Sequence, residues 1–192
     1  MRYRLLVSSC IALLTLLGGC ALSPQLVTVQ PLVDVAAAPV GRGRMLGLDV
    51  VDTRAQPEFG TRGGVYATAT VGPHNDVAAA VRRALAERLS AARFVVTPPQ
   101  AAAPVGLRVE IIRIAYQTGG SPVVGEVRAS AQVRAIVRNG AYTFTGDYTA
   151  NSARQVVGPP GAAENEKIIN EIVSQSLQHM LSDRKLLEAL GR

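Results

Sequence analysis

The order of elements legible in the chain predicts an α+β fold: a single domain with a mainly antiparallel sheet and two helices packed on one face. Three observations carry this expectation. Val127, Ala129, Ala131, Val133, Ala135 and Val137 alternate with residues such as Arg128, Gln132 and Arg134 up to Asn139-Gly140, the pattern of a long hairpin. Residues 75–92 and 162–181 carry apolar side chains at helical spacing. The other apolar alternations are short and bounded by Gly and Pro. With 192 residues, 48% of them hydrophobic, the chain can fill one ordinary core but not two large ones.

Residues 1–19 read as an export signal. Arg2 and Arg4 precede an apolar run from Leu5 to Leu17. As a helix that run spans about 20 Å, short of the roughly 30 Å hydrocarbon core of a bilayer. A cleaved signal peptide is therefore the better reading. Leu17-Gly18-Gly19-Cys20 matches a lipobox, in which small residues fit the peptidase and the Cys sulfur receives the diacylglyceryl group. Cleavage discards Cys10 and acylation consumes Cys20, leaving no thiol for a disulfide, a metal site or a nucleophile. Ala21 and Leu22 follow, without the Asp that commonly retains lipoproteins in the inner membrane. The expected location is the outer membrane, facing the periplasm. Losing Arg2 and Arg4 also lowers the formal charge of +6.

Residues 20–43 hold Pro24, Pro31, Pro39, Gly41 and Gly43, and predict a tether with a short strand at 26–29. The α+β domain then occupies 44–192. Leu46, Leu48 and Val50 alternate as a strand with one buried face. Asp52-Thr53-Arg54 opens a long Gly-rich loop, and residues 66–71 predict a second short strand. Asn75 and Asp76 can cap the first helix, and its inward stripe is Val77, Val81, Ala84, Leu85, Leu89 and Ala92. Residues 94–97 predict a short strand and 107–117 a longer one, whose apolar phase changes between Ile111 and Ile112. That change marks either a bulge or burial on both faces. A type I′ turn at Asn139-Gly140 sets Val137 against Tyr142, Ala135 against Phe144 and Ala131 against Tyr148. The last helix presents Ile169, Ile172, Val173, Ser176, Leu177 and Met180, and Ser182-Asp183 begins a final turn or two.

No complete catalytic constellation emerges. Gly41 to Gly47 only superficially matches a dinucleotide fingerprint, since it precedes a strand and spaces its third Gly one position late. His74 and His179 are the two imidazoles, and neither has a metal-ligand set around it. The chain therefore predicts no catalytic residue, metal or cofactor. Nucleic acid is excluded as a partner by export, few aromatics and no basic-aromatic platform. Two surfaces remain. Asp52 and Arg54 form a candidate binding edge, whose ordinary explanation is an Asp turn with a counter-charge. Arg128, Arg134 and Arg138 form a candidate basic face for anionic headgroups or an acidic partner. Glu126 and Asp147 share that face, so a solvated strand surface is its ordinary explanation.

Together the lipobox, the run Val50-Val51-Asp52-Thr53-Arg54 with Gly60-Thr61-Arg62, the helix after it and the Asn139-Gly140 hairpin resemble the YajG-type bacterial lipoproteins. The resemblance implies a compact α/β sandwich anchored in the outer membrane and supplies no catalytic residue. The expected role is a non-enzymatic envelope binding, assembly or accessory module, held by lipid at Cys20 and engaging an envelope protein. The alternative is a lipid or glycan carrier with an apolar groove between helices and sheet.

Overall fold

The computed structural model describes residues 23–63, 66–99, 103–120 and 124–192, so the export signal and Cys20 lie outside the described residues. Within these the strands are β1 (Gln25–Val27), β2 (Met45–Asp52), β3 (Gly60–Gly63), β4 (Tyr66–Pro73), β5 (Val95–Thr97), β6 (Val105–Gly120), β7 (Val124–Asn139) and β8 (Tyr142–Val157). The helices are α1 (Val77–Ala91), α2 (Ala162–Ser182) and α3 (Arg184–Gly191). β6 is the hub of the sheet. Along one edge it pairs antiparallel with β7, which pairs in turn with β8. Its other edge is shared: β2 covers Val105 to Ile111, and β3 covers Tyr116 and Gln117.

The sheet is mixed and curls into a half-barrel, and the described residues form three helices; this corrects the expectation of a mainly antiparallel sheet with two helices packed on one face. β1 runs parallel to β4, β5 parallel to β2, and β6 parallel to both β2 and β3. The cause lies in the connections. Between β2 and β5 the chain passes through β3, β4 and α1, and a helical crossover returns the chain in its starting direction, which a hairpin cannot do. The phase change in β6 is a bulge: pairing with β7 shifts between Ile111 and Arg113. Val105, Leu107, Val109 and Ile111 point inward before it, and Ile114 and Tyr116 after it.

The β7–β8 hairpin forms with a different turn. Asn139 pairs with Tyr142, so Gly140 and Ala141 are the two central residues. Gly140 has φ +59°, matching the first central position of a type II′ turn. Val137 therefore meets Phe144, Ala135 meets Gly146 and Val133 meets Tyr148. The slip is two residues, so each side chain keeps its face and only its partner changes. Asn139 has another task. Its Nδ2 donates to the carbonyl of Ala189 at 2.9 Å, with longer contacts to Leu190 and Arg192, and so satisfies carbonyls at the end of α3.

Residues 25–40, expected within a tether, are built into the fold. Val27, Val29 and Val33 are buried in the core. The intervening backbone is held by a polar stripe on α2. Thr28 N–H donates to Glu166 Oε2 at 2.8 Å, Gln30 N–H to Asn170 Oδ1 at 2.6 Å and Leu32 N–H to Ser174 Oγ at 2.9 Å. Four helical residues rise about 6 Å and two extended residues about 6.6 Å, so helix period and strand period stay matched over this length. Asn75 adds a reciprocal pair to Val29, accepting from its N–H and donating to its carbonyl. Asp76 caps α1 through the Ala79 N–H. One continuous core results, including Leu46, Leu48, Leu85, Ile111, Ile169, Leu177 and Met180.

Candidate functional site

Asp52 ends β2 and Arg54 follows two residues later, and the structure joins them to each other. Arg54 Nε and Nη2 reach Asp52 Oδ1 and Oδ2 at 2.8 and 2.7 Å, and Nη1 donates to the Pro57 carbonyl at 2.9 Å. The guanidinium lies 5.0 Å from the Phe59 ring centre, and the Arg54 side chain is only 6% exposed. Its donors and its face are thus engaged inside the chain, and the pair fixes the loop that leads into β3.

The three hairpin arginines do share one face, but two of them are neutralised there. Arg128 pairs with Glu126 at 2.8 Å, and Arg134 with Asp147, its direct cross-strand partner, at 2.8 Å. Asp147 holds the Arg134 guanidinium pKa above its usual value. The neighbouring β6 continues the pattern, with Arg108 between Glu110 and Asp49. Arg138 is exposed near the turn. The outer surface of the sheet is therefore a lattice of paired charges with little net sign at its centre. Exposed pairs of this kind are screened by solvent and contribute little to stability.

A more concentrated set of polar groups lies where the chain enters the fold, and the sequence did not single it out. Tyr116 on β6 is fully buried, and its hydroxyl donates to Asn165 Oδ1 at 2.6 Å. Asn165 sits in the first turn of α2 and passes the network to Gln25 Oε1 at 2.7 Å and, at 3.5 Å, to the Pro160 carbonyl. Arg62 on β3 reaches the carbonyls of Ser23 and Pro160 at 3.4 and 3.3 Å. Its Nε is buried and finds no partner among the described residues. Burial pushes the Tyr116 hydroxyl up to about 12, against the opposing pull of the Arg62 charge and the Asn165 bond. One signal was available: Asn165 stands four residues before Ile169 on the apolar stripe of α2, where a polar residue calls for a buried partner.

The geometry is that of a clamp. β1, β3, β6, the end of β8 and the start of α2 converge on residues 23–25, and a buried cation closes on the backbone there. His74 and His179 are far apart in the chain: His74 donates its backbone N–H to the Val27 carbonyl, and His179 Nδ1 lies 3.1 Å from the Thr149 carbonyl. Among the described residues no cluster of three or more His, Cys, Asp or Glu could hold a metal. The apolar cavity between α1, α3 and residues 35–40 has a volume of about 20 Å³. That is room for a single water and far short of the several hundred Å³ typical of a small-molecule site.

A comparison with functionally curated proteins returned no significant match. Among solved structures, the fold is similar to protein XCC0632 from Xanthomonas campestris, a DUF330 protein, with a TM-score of 0.57 and 12% identity over 87% of this chain and 95% of that one. A second similar structure is an uncharacterized protein, with a TM-score of 0.47, 14% identity, and 80% and 99% coverage. A third is described as a neuraminyllactose-binding hemagglutinin homolog from Helicobacter pylori, with a TM-score of 0.41, 11% identity, and 82% and 96% coverage. At these identities the likeness extends to the fold alone. A family model matches far more of the sequence than any short motif does: residues 31–191, from the segment clamped on α2 to the end of α3. The chain belongs to the Lipoprotein_16 family of uncharacterized lipoproteins.

Proposed function

We propose that the protein is an outer-membrane lipoprotein of the YajG type, acylated at Cys20, whose periplasmic domain is a non-enzymatic binding or assembly module for an envelope protein. The observation that carries this reading is the lipoprotein family match across 31–191, with a lipobox Cys a few residues before the fold begins. The three acyl chains of a mature lipoprotein exceed the two lipid signals that stable anchoring requires. No described helix is long and apolar enough to cross a membrane. For the carrier alternative, the enclosed cavity between α1, α3 and residues 35–40 is too small for an acyl chain, and the larger depression beside it, lined by Pro39, Val40 and Leu187, is open to solvent.

The test is made in the native cell. Wild-type protein should incorporate labelled palmitate and sediment with outer-membrane vesicles, and Cys20→Ala should lose both. Crosslinking in intact cells should recover a defined envelope protein. A Cys20→Ala protein that stays with the outer membrane would remove the anchor from the account.

A further inference from the structure

Chain length and the position of the clamp fix which end of the domain meets the bilayer. Only Ala21 and Leu22 separate Cys20 from Ser23, so the Cys20 and Ser23 Cα atoms are at most about 11 Å apart. Ser23 is not free to drift from the fold, because Arg62 bonds its carbonyl and β1 begins at Gln25. The headgroup layer is itself about 5–8 Å deep on each side of the hydrocarbon. An acylated Cys20 thus leaves no slack for a suspended domain.

The same end carries exposed apolar side chains. Arg62 also bonds the Pro160 carbonyl, which follows closely on Val157 at the end of β8. Val157 is 92% exposed, and its cross-strand partner Val124 is 51% exposed. Leu26, in β1 itself, is 61% exposed. Leu26 is three residues from Ser23, and Val157 three residues from the Pro160 whose carbonyl shares Arg62 with that of Ser23, so outward apolar side chains lie close along the chain to the point that leads to Cys20.

We propose that the domain is seated on the membrane, with the end formed by Ser23, Leu26, Val124 and Val157 in the lipid headgroup layer and the Gly140 turn pointing away from the bilayer. This rests on acylation at Cys20. Seating gives the domain a fixed orientation, so the far end, with Arg138 and the end of α3, is the face offered to the periplasm.

The mature chain retains no free thiol, which allows single labels. Val157→Cys and Thr143→Cys, both exposed and at opposite ends of β8, lie about 45 Å apart along the strand. Each acylated full-length variant is labelled with a fluorophore and reconstituted in phosphatidylethanolamine–phosphatidylglycerol vesicles containing headgroup spin-labelled lipid. Flotation reports the anchor, and quenching reports the seat. The expected result is flotation of both variants, with the Val157→Cys label quenched at least about twofold and the Thr143→Cys label unaffected, as for groups at headgroup depth and in water. Flotation with equal quenching at the two sites, or stronger quenching at Thr143→Cys, overturns the seated orientation and leaves the anchor standing. Failure of both to float removes the anchor and the orientation with it.

Discussion

Tyr148 lies back along its own strand over Gly146, where an added Cβ would sit 2.5 Å from the Tyr148 hydroxyl oxygen. That hydroxyl donates to Asp183 Oδ2 at 2.7 Å, while Asp183 Oδ1 accepts from the Lys185 N–H and caps α3. One glycine thus permits the contact that fixes the joint between α2 and α3. Gly146→Ala should destabilise the domain by about 1–3 kcal/mol, read as a Tm lowered by several degrees relative to Thr143→Ala. The tyrosines also set an alkaline limit. Burial raises Tyr116 to about 12, and burial and then the Asp183 bond raise Tyr148. A folded-state pKa above the unfolded value of about 10 means that the unfolded chain releases its proton first, so this stability is intact below pH 10 and is lost as pH rises toward 12. Urea midpoints should fall between about pH 8 and about pH 11. Tyr116→Phe leaves the buried Asn165 Oδ1 without that donor, costing about 1–3 kcal/mol at neutral pH, and should flatten the alkaline decline. A decline as steep as that of the wild type would show that Tyr116 is not its source. The hairpin arginines give the opposite expectation. With Arg128 and Arg134 already paired, changing Arg128, Arg134 and Arg138 to Gln should leave salt-dependent binding to anionic vesicles unchanged.

At the scale of elements, what the chain made legible and what it concealed divide along physical lines. Both main helices could be read from their apolar stripes, and the inward faces of β6, β7 and β8 from alternation and the phase change at Ile112. β3 was concealed, because Gly60–Gly63 has no apolar side chain and a single β-branched one, Thr61, and owes its place to pairing with β4 and β6. The parallel pairs were concealed for a related reason: strand direction is set by crossovers and leaves no local mark on composition. The hairpin register depended on whether Asn139 entered the turn, and its bonds to the end of α3 are tertiary. Segment 25–40 misled through its prolines, whose missing N–H groups suit a tether but equally suit a strand held through alternate residues. Glu166, Asn170 and Ser174, four apart on α2, were the available sign of that strand. Asn170→Ala removes two of its bonds and should cost about 1–3 kcal/mol. Faster hydrogen exchange at the amides of residues 28–32 would locate the loss there; unchanged exchange would contradict the role given to the stripe.

For the whole molecule, the clamp at Arg62, Tyr116 and Asn165 links the core to Ser23 and Gln25, where the chain enters the fold. Asp52 and Arg54 pair with each other, and Arg128 and Arg134 pair with Glu126 and Asp147 while Arg138 stays exposed, whereas the polar cluster, whose members lie in distant parts of the sequence, became visible only in three dimensions. Fold, family and clamp all bear on one proposed event, the modification of Cys20. It is tested most directly by intact-mass and peptide mass spectrometry of the protein extracted from its native membrane. The account predicts a mature N-terminus at Cys20 bearing a thioether-linked diacylglyceryl group and an N-acyl chain. A chain that begins at any other residue, or one with Cys20 as an unmodified thiol, would contradict it.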